Sequence, residues 1–507
     1  MTTVTLAAQR PFEAVLVANR GEIAVRVMRT CRERGIRTIA VYSDADRTSL
    51  HVRYADEAYR IGEAPSRDSY LRMDRIIDVA RRAGAQAIHP GYGFLSENAE
   101  FAAACADAKL VFIGPPPSAI EAMGHKTRAR TLMAEAGVPV VPGNHAPVAS
   151  CDEALATAQS IGFPVMLKAA AGGGGKGMRR VESKDGFRAA FEAAAREAKS
   201  AFGDNAMYVE KYLDRPRHVE VQIFGDRQGT YCHLFERECS VQRRHQKVIE
   251  ESPSCIVDGE MRQRMGEVAV RAARAVGYHN AGTVEFLVDA SRNFYFLEMN
   301  TRLQVEHPVT EWITGLDLVA AQLDVAAGRP LPFGQLPAPR GHAIEARIYA
   351  EDPYANFLPQ PGRIEHLIRP AGPFVRVDSG VYSGAAVPPD YDPLLAKLTV
   401  WAPSRPEAIA RLDCALEEYR IKGLTTNIAF LRQVLRTAPF VSGDYDTGLI
   451  GNHMDLTHPP LDAAARDVAI LAAALFAHQQ AQQAAVPLAA GPTTPSYWRT
   501  LGGAMRR

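Results

Sequence analysis

Near the start of the chain an apolar run, Ala14–Ala18, passes through Asn19-Arg20-Gly21 into a stretch of helical period, Glu22–Arg34. Gly35 stops that stretch, and Thr38–Tyr42 reads as a second strand. Strand, helix and strand in this order make a βαβ unit, which predicts a mostly parallel sheet. The pattern repeats at Met73–Ala83, Gly84 and Ala87–His89, and Leu110–Ile113 adds another strand. Roughly residues 10–120 are therefore expected to form an α/β domain. No GxGxxG follows its first strand, so a dinucleotide site is not predicted.

Between about residues 140 and 213 a strand, Val165–Lys168, runs into a glycine-dense stretch, then an alanine-rich helix, Gly186–Lys199, then another strand, Ala206–Lys211. Gly172–Gly175 follow one another, with Lys168 and Lys176 on either side. Backbone N–H groups freed of side chains close readily over phosphates, and the lysines add charge. A position between an apolar strand and a helix argues against a mere linker. GxxxxGK[ST] is absent, so this is not a P-loop. Residues 214–455 alternate strand patterns with helices. Beyond them lie an Ala/Gln-rich helical stretch, Asp462–Gln483, and a Pro/Thr/Gly linker, Pro487–Thr500.

Two strand patterns, Thr283–Asp289 and Phe294–Asn300, are joined over Ala290–Asn293. If Ala290 pairs with Asn293, Glu285 faces Glu298, and alternation brings Asn300 to the same side. A chain that stays extended carries Arg302, Gln304 and Glu306 along that side too. Opposed carboxylates repel unless a cation lies between them. Two Glu and an Asn offer only oxygen ligands, which suits Mg2+ while it also grips phosphate. Phe286, Phe294 and Phe296 make the other face apolar, favouring a packed hairpin over a solvated edge.

Arg302 presents a guanidinium fork suited to a planar anion such as bicarbonate. Glu306 is a candidate base, although spacing alone does not single out which acid serves. Upstream, Glu236–Lys247 is dense in charge, and its odd–even pattern puts Arg243, His245 and Lys247 on one side, a wall for a triphosphate. The usual meaning of such a cluster is a solvated strand. His307 and the seven cysteines lack recognisable partner spacing and are read as structural.

Composition narrows the class. The 507 residues suffice for two to four domains, and 47% hydrophobic with 23% charged residues is ordinary for a globular protein. A net charge of +1 removes the basic excess of a dedicated nucleic-acid binder. No CxxC pair occurs, which argues against zinc or a disulfide framework and for a reduced, cytoplasmic setting. The start lacks a secretory pattern, and the apolar run Val468–Ala477 is too short to cross a bilayer, so no membrane association is expected.

Five long segments then bear on one another: ANRGEIAVRV at Ala18–Val27, HPGYGFLSENA at His89–Ala99, KAAAGGGGKGMR at Lys168–Arg179, ERECSVQRRHQKVIEE at Glu236–Glu251 and EMNTRLQVEHPVTE at Glu298–Glu311. Through them the chain resembles the biotin carboxylases, a branch of the ATP-grasp superfamily, from about Phe12 to Met454. The continuation RLQVEHPVTE separates it from other ATP-grasp enzymes. The resemblance implies a multidomain α/β and α+β fold. Its parts are a Rossmann-like pre-ATP-grasp domain (10–125), an ATP-grasp domain (126–335) with a mobile lid at about 140–213, a C-terminal biotin carboxylase domain (336–455) and a helical or linker tail (456–507).

The same resemblance implies the site. Lys126, Lys168, Gly174, Gly175, Met178, Glu210, Lys211, Leu213, His218, Gln242, His245, Glu285 and Glu298 match the family's nucleotide contacts. Glu285, Glu298 and Asn300 match its ligands for two Mg2+ ions, or Mn2+ in their place. Lys247, Arg302, Gln304 and Val305 match its bicarbonate site, Glu306 the base that deprotonates bicarbonate, and Arg347 the arginine that stabilises the biotin enolate. Arg26 and Arg29 fall where its homodimer contacts lie. The glycine loop departs from many relatives in opening with Ala171.

The implied activity is ATP- and bicarbonate-dependent carboxylation of biotin on a carrier protein, the first half-reaction of an acyl-CoA carboxylase. Carboxyphosphate forms, releases CO2 and phosphate beside biotin, and the phosphate takes the N1 proton. Two alternatives stay open. Another bicarbonate-using ATP-grasp ligase would cleave ATP without regard to biotin, and a non-catalytic nucleotide-binding subunit would release no ADP. No Ala-Met-Lys-Met tetrapeptide occurs, and Ala504-Met505-Arg506-Arg507 has no lysine. Biotin is therefore expected on a biotin carboxyl carrier protein or a continuation of this chain, working with carboxyltransferase subunits, and the tail is read as a docking or linker element. The final acceptor, whether acetyl-, propionyl- or methylcrotonyl-CoA or pyruvate, does not visit this chain and leaves no trace in its sequence.

Overall fold

A computed structural model describes residues 10–144, 147–148, 150–169, 178–202, 205–333, 338–457 and 463–484. The chain divides into two units, Met1–Met454 and Asp455–Arg507.

The first unit begins with β1 (Ala14–Val17), α1 (Gly21–Glu33), β2 (Arg37–Ser43), β3 (Glu57–Gly62), β4 (Ala87–His89) and β5 (Val111–Phe112). Their order in the sheet is β3-β2-β1-β4-β5, and every pairing is parallel, as the βαβ periodicity predicts. β1 sits at the centre with all four side chains buried, which is why it reads as a continuous apolar run. β3, half-exposed along most of its length, lies at the edge and gave no such signal. Gly35 has φ +67°, the left-handed turn that ends a helix such as α1.

β6 (Val165–Ala169), β7 (Met178–Val181) and β8 (Met207–Lys211) make a separate antiparallel sheet in the order β7-β6-β8. This corrects the expectation that the glycine stretch joins a strand to a helix: it joins two antiparallel strands. Residues 170–177, with Gly174, Gly175 and Lys176, lie outside the described residues. Val165, Leu167 and Val209 pack on Phe187, Phe191 and Ala194 of the helix Phe187–Phe202 to give this flap its own small core.

The largest sheet has eight antiparallel strands. It contains β9 (Arg217–Gly225), β10 (Tyr231–Arg243), β11 (Gln246–Ser252), β12 (Asn280–Val288), β13 (Phe294–Asn300) and β14 (His342–Tyr349), followed by the strands Leu394–Ala402 and Val375–Ser379. The order is β13-β12-β9-β10-β11-β14 and then those two, so the sheet runs without a break past residue 336. Glu285 pairs with Glu298, but the turn differs from the expectation. Asp289, not Ala290, closes it against Asn293, so Phe286 meets Phe296, and a bulge at exposed Leu297 restores the predicted register. Asp289 Oδ1 accepts from Ser291 N and Asn293 N at 2.9 Å each, which ties the turn without a glycine.

In the second unit the helix Ala463–Ala484 occupies the predicted Ala/Gln-rich stretch, and Pro487–Thr500 lies outside the described residues. No described helix is long and apolar enough to cross a membrane.

Phe286 is fully buried among Val284, Met265, Tyr278 and Phe294 beneath the hairpin. Phe286→Ala is expected to cost about 3–5 kcal/mol in denaturant unfolding; a loss under about 1 kcal/mol would mean the hairpin does not depend on that core.

Candidate functional site

Four charged residues lie in register across adjacent strands. Arg237 of β10 pairs with Glu220 of β9, Glu220 with Glu285 of β12, and Glu285 with Glu298 of β13. Carboxylates side by side repel one another, so the two buried acids of the row, Glu220 and Glu285, require cations against them. Arg237 is fully buried and all its N–H groups find acceptors. Nε reaches Glu220 Oε1 at 2.5 Å, Nη1 reaches Gln222 Oε1 (2.8 Å) and Thr310 Oγ1 (2.9 Å), and Nη2 reaches Thr283 Oγ1 (3.1 Å) and Gln304 Oε1 (3.2 Å).

Lys247 is the second cation. Its Nζ donates to Glu220, to Glu285 Oε1 at 2.7 Å and to Glu306 Oε1 at 2.7 Å. Burial opposes its charge, yet the three carboxylates outweigh that and hold its pKa well above the ordinary lysine value. Lys247 reaches this point because β10 and β11 form a hairpin whose turn residues, Arg244 and His245, have φ 49° and 70°. The expected single face of Arg243, His245 and Lys247 is therefore absent. Arg243 turns instead to Glu351 at 3.0 Å, its guanidinium over the Phe357 ring, and His245 is exposed in the turn.

β13 stops at Asn300, so Arg302, Gln304 and Glu306 do not follow an extended strand as expected. The chain turns, and they still converge. Gln304 Nε2 donates to Glu285 Oε1 (2.9 Å), Asn300 Nδ2 to the same oxygen (2.9 Å), and Arg302 Nη2 to Asn300 Oδ1 (2.9 Å). Arg302 Nε rests on Glu97 Oε2 at 2.8 Å. Arg347 of β14 bridges Glu250 Oε1 (2.6 Å) and Glu306 Oε2 (3.0 Å). Burial works against ionisation of Glu285 and Glu306, but Lys247 with His218 in the first case, and Lys247 with Arg347 in the second, keep both well below the usual carboxylate range.

Around this centre His218 Nε2 lies 2.8 Å from Glu285 Oε2, and Gln242 Nε2 lies 2.7 Å from His218 Nδ1. In the flap, Lys168 and Arg130 both pair with Glu210, while Lys211 Nζ donates to the carbonyls of Gly162 (2.9 Å) and Phe163 (3.1 Å) and so faces away from Glu210. Met178 opens β7 and is exposed, and Leu213 follows β8 half-buried. Lys126 opens the helix Lys126–Glu135, and its side chain lies outside the described residues. Arg26 is buried on Glu311 (2.8 Å), Asp317 (2.9 Å) and Thr30 (2.6 Å), so its charge is satisfied within the chain, whereas Arg29 is exposed. His307 is buried on the Gln304 carbonyl (2.8 Å), and the seven cysteines are unpaired.

Sequence reasoning missed Glu97, Glu220, Arg237 and Glu250. The signal for Glu220 was present: in His218–Phe224 it alternates with valines, a charge on the covered face of an apolar strand. The oxygen donors of Glu285, Glu298 and Asn300 fit Mg2+. Asn300 now turns its amide nitrogen to Glu285 and its Oδ1 to Arg302, so gripping a cation requires that amide to reverse.

A parallel α/β unit, an antiparallel flap and a large antiparallel sheet with acids at one end define the ATP-grasp class. Family models match in series: "Biotin carboxylase, N-terminal domain" over residues 11–120, "Carbamoyl-phosphate synthase L chain, ATP binding domain" over 125–333 and "Biotin carboxylase C-terminal domain" over 345–452. The biotin carboxylase of Halalkalibacterium halodurans is 54% identical over 444 residues, covering 87% of this chain and 98% of that protein. The alpha chain of mitochondrial methylcrotonoyl-CoA carboxylase from Rattus norvegicus is 56% identical over 442 residues, 87% of this chain but 62% of that longer one. Among solved structures, the biotin carboxylase domain dimer of Hydrogenobacter thermophilus 2-oxoglutarate carboxylase, in complex with MgADP, ADP and bicarbonate, shares 45% identity at a TM-score of 0.81, covering 89% of this chain and all of that one. The chain belongs to the biotin carboxylase family of ATP-dependent ligases.

Glu250 and Glu345 pair across β11 and β14, and burial pushes them up to about 8 and about 7 despite the nearby cations. The folded chain thus holds protons that free carboxyls release. Their stabilising share is full below the free-carboxyl value and is lost as pH rises through about 7 and then about 8. Tm should fall between about pH 5 and pH 8, and fall less in Glu345→Gln; equal falls in both would show that Glu345 does not titrate there.

Proposed function

We propose that this chain carboxylates biotin presented by a carrier protein, taking the carboxyl group from bicarbonate and the driving force from ATP. The observation that carries the reading is the meeting of Lys247, Arg302, Gln304 and Glu306 beside Glu285 and Asn300: an anion pocket next to an oxygen-ligand set. In this reading bicarbonate replaces Glu97 as the partner of Arg302, with Lys247 and Gln304 as its other donors. Glu306, 2.7 Å from Lys247, is the carboxylate placed to take the bicarbonate proton; Lys247 and Arg347 lower its affinity for that proton, so in this reading it acts as a base once bicarbonate draws Lys247 away. The freed oxygen attacks the γ-phosphorus of ATP as the bond to ADP breaks, and the carboxyphosphate formed yields CO2 and phosphate.

Arg347 then faces the developing negative charge on the biotin ureido oxygen once phosphate has taken the N1 proton. Glu250 at its back and Glu306 at its side fix the direction of its fork. Lys168, Glu210, His218, Gln242 and His245, with Lys126, Gly174, Gly175, Met178, Lys211 and Leu213, are assigned to the nucleotide. Glu285, Glu298 and Asn300 would hold Mg2+, which offsets charge on the phosphate oxygens when bound.

Two relatives are subunits of larger carboxylases, one of methylcrotonoyl-CoA carboxylase and one of the pyruvate carboxylase of Methanothermobacter thermautotrophicus, which supports a carrier and a carboxyltransferase as partners here. The dimer seen in the Hydrogenobacter domain supports a homodimer, with Arg29 free to take part. Seven unpaired cysteines fit a reducing compartment such as the cytoplasm.

Arg302→Ala and Glu306→Gln should each cut bicarbonate- and biotin-dependent ADP release by about 100-fold or more while the KM for ATP moves less than about threefold. Near-normal turnover in both variants would sink the reading.

A further inference from the structure

Lys397 lies in the middle of the strand Leu394–Ala402 and is fully buried. Its Nζ donates to the carbonyl of Val305 at 2.7 Å. The nearest carboxylates are looser: Glu22 of α1 at 3.4 Å and Asp378 of the strand Val375–Ser379 at 3.9 Å. A buried ammonium is costly unless it is paired and bonded. Here its short bond goes to a backbone oxygen of the turn that follows Asn300, and parts of the chain near residues 22, 305 and 378 meet at this one group.

The Val305–Glu306 peptide is trans, so its carbonyl and its N–H point in opposite directions. A donor that holds the carbonyl back against the Leu394–Ala402 strand therefore fixes the direction of the Glu306 N–H. It also sets the entry to the helix His307–Thr314, at whose N-cap Glu306 stands. Gln304, one residue before, must reach Glu285 and Arg237, and Glu306 must reach Lys247 and Arg347. Neither reach tolerates a reversed peptide between them.

We propose that Lys397 is a positioning residue for the anion pocket: it locks the Gln304–Glu306 backbone from behind and places a positive charge under it. The proposal rests on the reading above that bicarbonate binds at Lys247, Arg302 and Gln304. Lys397 itself touches neither substrate.

The test is steady-state ADP release by the full chain, with bicarbonate and ATP varied in turn. Lys397→Met is expected to raise the KM for bicarbonate about tenfold or more and the KM for ATP less than about twofold. Lys397→Gln keeps an N–H for the carbonyl without the charge, and should fall between Lys397→Met and the unsubstituted chain. A lysine serving only the fold would lower the amount of active protein and leave both KM values alone, and that result overturns the proposal, as does a parallel rise in both. If Lys397→Met does not fold, the two KM values of Lys397→Gln decide by the same criterion. An unsubstituted chain that cleaves ATP without regard to bicarbonate would overturn the proposed function and this inference together, whereas the variant comparison can overturn this inference alone.

Discussion

The structure is organised around the cost of burying like charges side by side. Glu220 and Glu285 stand side by side, buried on neighbouring strands, and they survive there because Lys247 is held against both and Arg237 against Glu220. Removing water from both acids raises the energy of each, and the attraction of a cation a few ångströms away recovers it only with good hydrogen-bond geometry. Arg237 supplies that geometry by spending all five N–H groups inside the protein. Much of what surrounds the row follows from this need: the inward polar residues of β9, the Arg244–His245 turn that aims Lys247, and the folding back of Gln304 and Glu306.

The same arrangement suits the proposed site, which would handle anions and cations in turn. Each charged group already has a partner in the protein: Arg302 has Glu97, Glu285 has Lys247, and Glu306 has Lys247 and Arg347. Under the proposed function, substrate charges would exchange with internal ones instead of entering an empty, desolvated pocket, which would reduce reorganisation during reaction.

Much of this is legible in the residues alone. β1, α1 and β2 read directly because a central parallel strand is apolar throughout and a helix ends where glycine allows a left-handed turn. The pairing of Glu285 with Glu298 also reads correctly, although the turn is one residue out and a bulge makes up the difference. Local pattern fails where the deciding partner is far along the chain. Glu97 meets Arg302 across 205 residues, and nothing near either announces it. It fails again at Arg244 and His245, whose turn contains none of the Gly, Asn or Asp that such turns usually carry. The flap is misjudged for a related reason: β7, MRRV, is short and mostly exposed, so no alternation marks it as a strand.

The unbroken sheet has a consequence for motion. β11, which carries Lys247, and β14, which carries Arg347, are neighbours paired at four positions from Ile249 with Ala346 to Ser252 with Ala343. Bending the molecule between them would break that ladder, so the groups assigned to bicarbonate and to biotin stand on one continuous sheet. The three-stranded flap, by contrast, has its own core and shares no strand with this sheet, so a displacement of the flap would leave the ladder intact.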